Sequence, residues 1–97
     1  MTIYEMTVCH EPEILGFLAS KPNRSVIPRD LHRYFQERKR ENPDKYTQLK
    51  FGESGWSDEL ECVINNSTRG GLVNQRAGYV EITNLGKKLL TERKLSS

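Results

Sequence analysis

The side chains in this sequence that could do chemistry are cations, amides and hydroxyls. Arg29, Arg33, Arg38, Lys39 and Arg40 crowd one stretch in which they could neutralise phosphates in series, each contact steepening the salt dependence of binding. Asn65, Asn66, Thr68 and Arg69, with Ser57 before them, offer donors and acceptors of the kind that read base edges. Arg76 stands close to Gly78, at the tip of an expected turn, where it could reach a phosphate or a minor groove. Each has a plainer reading: an exposed run of charge is more often a solvated surface than a binding site, and the polar face of the third expected helix is as readily solvated as bound to bases.

Groups for catalysis or metal binding are not spaced for it. His10, His32, Cys9 and Cys62 give no ligand spacing beyond the adjacent Cys9-His10, which cannot make a tetrahedral site. The sequence has no nucleophile elbow, phosphate-cradling glycine loop or His-Glu-x-x-His element. The expectation is a chain that is not an enzyme, with no metal, no cofactor and no small-molecule substrate.

The elements that must position these residues fit one domain over residues 1–97, with an ordered core of about 11–93, because 97 residues leave no room for a second. Lys plus Arg is 15 and Asp plus Glu is 13, so the net charge of +2 says little about a polyanion partner. Its distribution says more: residues 21–40 are mainly basic, whereas 53–61 holds Glu53, Asp58, Glu59 and Glu61 with no base. No apolar run reaches the roughly 18 residues of a membrane span, and Met1 to Cys9 carries Glu5 without a basic start and an apolar stretch. With two cysteines too few for a disulfide scaffold, a cytoplasmic, reduced protein without a membrane partner is expected.

Periodicity predicts a helix from Glu11, with Pro12 in its first turn and Ile14, Leu15 and Leu18 as its apolar stripe. A very short strand follows near Val26, then a helix over 28–40 that turns Leu31, Phe35 and Tyr34 inward and a basic side outward. Residues 41–52 read as a loop. A third helix over 54–66 takes Trp56, Leu60, Val63 and Ile64 as its buried face, which makes Trp56 a core residue. Two strands around a turn at 75–78 come next, and Thr83 caps a closing helix over 84–93 with Leu85, Leu89 and Leu90 inward. This order is what an α+β winged helix-turn-helix looks like, and the expected fold is a three-helix core, a wing sheet of two to three strands and a C-terminal helix.

Gly70-Gly71-Leu72-Val73, followed after the hairpin by Ile82-Thr83-Asn84-Leu85-Gly86-Lys87-Lys88-Leu89-Leu90, resembles a recurrent ending of bacterial winged helices. With Lys21-Pro22, Asp30-Leu31-His32 and Gly55-Trp56, it is similar to the N-terminal domain of Mrr-type restriction endonucleases over roughly residues 11–90. The resemblance implies recognition of double-stranded, modified DNA in a restriction-type or regulatory system. Two features depart from the pattern. Asn65 to Gly70 looks like added length, and the separate catalytic domain of those nucleases, with its Glu-x-Lys type element, has no counterpart here. On this reading the chain is a recognition head without a cutter, either a fragment or a free-standing relative.

A second reading is a protein-binding winged helix: a dimerisation unit, an adaptor or an inhibitor docking on a larger complex. The acidic Asp58 and Glu59 and an exposed patch of Tyr46, Leu49 and Phe51 would carry it. The target site, any modified-base preference, the oligomeric state and the identity of a protein partner are not written in the sequence.

Overall fold

The computed structural model describes the backbone of residues 3–96 and the side chains of residues 9–92. Four helices and a small antiparallel sheet form an α+β fold: α1 (Ile3–Ala19), β1 (Ser25–Val26), α2 (Pro28–Glu41), α3 (Asp58–Arg69), β2 (Val73–Arg76), β3 (Tyr79–Ile82) and α4 (Asn84–Ser96). The sheet order is β1-β3-β2, with Val26 opposite Val80 and Val73 opposite Ile82. These four β-branched residues are buried and form the sheet's contribution to the core, as side chains alternating along a strand require. Helix α1 lies across α3, β3 and α4, and its Ile14, Leu15 and Leu18 are fully buried.

Helix α1 begins well before Glu11, so Pro12 lies inside it and not in its first turn. A proline there removes one helical hydrogen bond and crowds the preceding turn. The segment nevertheless stays helical on both sides, with His10 and Glu11 buried before Pro12 and Ile14 after it. Helix α2 starts at Pro28, whose fixed φ and missing N–H suit that position, and it stops before Asn42-Pro43. Leu85, expected inward on α4, is instead 53% exposed.

Helix α3 starts at Asp58, later than periodicity suggests. Ser57 is its N-cap, and the Ser57 Oγ accepts from the Leu60 N–H at 3.2 Å. Asp58, Glu59 and Glu61 then fill the first turn, where carboxylates are favoured by the positive end of the helix dipole. That placement accounts for the acidic cluster without any partner. At the other end the helix closes in a Schellman arrangement, the Leu72 N–H donating to Ser67 O at 3.0 Å and the Gly71 N–H to Thr68 O at 3.1 Å. Gly71 has φ +79°, the left-handed conformation this closure demands.

The hairpin turn is tighter than expected. Gln75 and Arg76 belong to β2, and the turn is the two residues Ala77 and Gly78, with φ +53° and +80°. Two successive positive φ values define a type I′ turn, which matches strand twist but disfavours alanine at its first position. Ala77→Asn is therefore expected to raise stability by about 1 kcal/mol, read as a higher urea midpoint with an unchanged slope.

Candidate functional site

The residues singled out for binding fall into three places. At the first, Gln75 ties the hairpin to α3. It shares a strand face with buried Val73 but lies beyond the edge of the core, and its Nε2 donates to Asn65 Oδ1 at 2.8 Å and to Thr68 Oγ1 at 2.9 Å. The Thr68 hydroxyl donates in turn to Ile64 O at 2.9 Å, so Thr68 is committed to this joint and is a poor base contact. Asn65 accepts this bond through its oxygen, and its amide carries two further N–H donors. One turn along α3, the Arg69 Nη1 donates to Asn66 Oδ1 at 3.5 Å, and Arg69 is exposed.

Arg76 occupies the second place, on the opposite face of β2 from Gln75. Its side chain is 79% exposed and 3.8 Å from Glu81 Oε1, an ion pair in water that restrains it weakly. Arg69 and Arg76 have different partners, Asn66 for the first and Glu81 for the second.

The third place is a cleft of about 510 Å³ lined by Arg29 and Arg33 of α2 and by Trp56, with His32 and Gln36 alongside. Trp56 is not core. It precedes the helix it was expected to open and is 39% exposed, its ring stacked on His32 with centroids 3.8 Å apart and planes 17° from parallel. The sequence signal that would have found this is the cap: a serine followed by Asp58-Glu59 marks a helix start and leaves Gly55-Trp56 in the preceding loop.

His32 is itself held from behind. Its Nδ1 accepts from the Ser57 N–H at 3.1 Å, which leaves the ring proton on Nε2. That atom lies 3.6 Å from Glu61 Oε2, longer than a hydrogen bond. Burial lowers the His32 pKa from the ordinary 6.5, and the Glu61 and Asp58 carboxylates oppose that only in part. At neutral pH the ring is an uncharged platform beneath the indole. Ser57, expected as a contact residue, is fully buried between His32 and α3, because the N-cap role turns its hydroxyl inward.

The basic stretch on α2 divides in two. Lys39 donates to Leu49 O at 2.6 Å, and Arg38 is bound to Glu13 and Glu41. Arg29, Arg33 and Arg40 are exposed, and among the described residues no ion pair engages them. The apolar docking patch expected at Tyr46, Leu49 and Phe51 is not a surface. Tyr46 and Leu49 are fully buried, Tyr46 beneath His10 and Phe35, and Phe51 packs partly against the core. The loop folds back with Tyr46 paired to the half-buried Glu13, its OH donating to Glu13 Oε1 at 2.7 Å. Asp58 is exposed, whereas Glu59 is half-buried and accepts from the Lys50 N–H at 2.9 Å.

No helix among the described residues is long and apolar enough to cross a membrane. Compared with known protein families, with curated proteins and with solved structures, the chain matches none.

Proposed function

We propose that this chain is a winged helix that binds double-stranded DNA, with α3 as the recognition helix and the β2–β3 hairpin as the wing. The observation that carries the reading is the Gln75 joint: it locks the hairpin against the C-terminal half of α3. A recognition helix and a wing that touch one duplex need such a fixed relation. Asn65, Asn66 and Arg69 then meet the groove, Arg76 at the wing tip meets a neighbouring phosphate or minor groove, and Arg29 and Arg33 add charge near the start of α3. The acidic first turn of α3, which would oppose phosphates, has its own reason in the helix dipole. The resemblance of the Gly70–Val73 and Ile82–Leu90 segments to Mrr-type recognition domains, a reading of sequence motifs alone, points the same way and proposes modified bases as the feature to be read. The chain supplies recognition and leaves catalysis to another protein or domain.

The test is fluorescence anisotropy of a labelled duplex, methylated or not, titrated at two salt concentrations. The double variant Arg69→Ala/Arg76→Ala is expected to bind more weakly, with the salt slope reduced by roughly one for each arginine. Equal binding and an equal slope in the variant would remove both residues from the interface. A wild-type protein that ignores the duplex at low salt would end the DNA reading altogether.

A further inference from the structure

We propose that the cleft between α2 and Trp56 is a nucleotide site, taking an unpaired base with its phosphate; it shares Arg29 and Arg33 with the duplex surface proposed above and adds Trp56 to them. A half-exposed tryptophan in a small domain leaves apolar area in water without return, and this one is not loose. One indole face is stacked on the buried His32 ring at 3.8 Å, and the residue is still 39% exposed where it lines the cleft. A rigid, half-covered aromatic of this kind is a stacking platform that accepts any base, because every base has a π-face.

Charge selects the side of the platform. Trp56 and Ser54 stand between two clefts. The first has Arg29 and Arg33 in its lining and no carboxylate; the second has Asp58 and Glu59 against a single Lys50. An anion enters the first. Arg29 and Arg33 are one helical turn apart, which sets their stems about 5 to 6 Å from one another, so both guanidinium groups can close on one phosphate with paired N–H donors. Asp30, the acid between them, lines a different cleft on the far side of Arg33. Gln36 and Ser54 add an amide and a hydroxyl at the cleft wall for the edge of the base. Gly55 has φ +81°, a left-handed conformation that favours glycine, and a Cβ there would crowd Gln36 Oε1 at 3.2 Å. The volume of about 510 Å³ lies within the range of small-molecule sites.

Trp56 is the only tryptophan of the chain, so its fluorescence reports the cleft directly. Titration with 2′-deoxyguanosine 5′-monophosphate is expected to quench it saturably, with a Kd of about 1 mM or below. Arg29→Ala/Arg33→Ala should weaken that binding about tenfold or more. Trp56→Ala, followed by the phosphorus NMR line of the nucleotide, should weaken it by a similar factor. The Arg69→Ala/Arg76→Ala variant should bind the nucleotide as the wild type does, which keeps this test independent of duplex binding. If a duplex with one bulged nucleotide displaces the mononucleotide better than its fully paired counterpart, the site holds a base extruded from a strand. If the two duplexes displace it equally poorly, the site serves a free nucleotide. Quenching that does not saturate by about 10 mM, or displacement by inorganic phosphate at equal concentration, would overturn the assignment, since the base would then contribute nothing.

Discussion

Gly86→Ala is expected to cost about 3 kcal/mol or more and to leave much of the protein unfolded at moderate temperature. A Cβ at this position would collide with the backbone oxygen of Leu72 and sit 2.9 Å from Ile82 Cγ1. Neither can give way. The Leu72 oxygen accepts from the Thr83 N–H at 3.0 Å, the Leu72 N–H closes α3, and Ile82 is a buried strand residue. Thr83 binds the same corner, its hydroxyl lying 2.6 Å from Gly71 O and 3.0 Å from Leu72 O while accepting from the Gly86 N–H at 3.0 Å. The Gly-Leu and Ile-Thr-x-x-Gly segments are thus one structural corner, where a closing helix, a hairpin and the next helix meet at backbone contact. Urea denaturation of Gly86→Ala beside Gly16→Ala provides the check. Gly16 lies within α1 with open space where its Cβ would be, and alanine there should gain about 0.5 to 1 kcal/mol. Equal stability of the two variants would refute the close-contact account.

The second large effect is expected at Glu13. Its carboxylate accepts from Tyr34 OH at 2.8 Å, Tyr46 OH at 2.7 Å and Arg38 Nε at 3.2 Å, joining α1 to α2 and to the 42–57 loop. Burial alone would raise its pKa. The hydrogen bonds from Tyr46, Tyr34 and Arg38 outweigh that and hold the carboxyl below its ordinary value of 4.5. The same contacts act on the donors: burial and the Glu13 carboxylate push Tyr34 up to about 12. Glu13→Ala strands the hydroxyl of the fully buried Tyr46 and that of half-buried Tyr34. It should cost about 2 to 4 kcal/mol at neutral pH.

The sign of the pH dependence follows. A carboxyl whose pKa is lower in the folded protein contributes stability that is fully present above about 4.5 and is lost as pH falls through the folded value. His10 and His32, both lowered from 6.5 by burial, act at higher pH, since each is neutral in the fold and begins to favour the unfolded chain below about 6.5. Urea midpoints measured across acid pH should therefore fall in two stages, and Glu13→Gln should flatten only the lower one. A variant that keeps the full acid slope would show that Glu13 is not its source.

Much of the α+β architecture was legible in the sequence because its signals are local. Leu31 and Phe35 at helical spacing, Pro28 at a helix start, Thr83 at another and Gly78 in a turn each act through neighbours a few residues away, and the structure has them in those roles. Where two local signals compete, the cap is a better guide than the apolar stripe. Trp56 fits the periodicity of Leu60 and Ile64, yet Ser57 as the N-cap with its acidic successors sets the helix start at Asp58, two residues after Trp56.

What the sequence by itself determined is the order of helices and strands, the charge segregated along the chain, and the glycines and threonine of the corner before α4, since chain geometry and short-range hydrogen bonding decide these. Only the tertiary structure decided which polar groups meet. Glu13 with Tyr34, Arg38 and Tyr46, and Arg29 with Trp56, lie far apart in the chain, and Gln75 meets Asn65 and Thr68 across a change from helix to strand; no spacing rule links them. The same long-range burial withdrew Tyr46 and Leu49 from the surface and left Trp56 upon it. Burial depends on the area that neighbouring elements cover, a property of the packed fold that no short window of sequence contains.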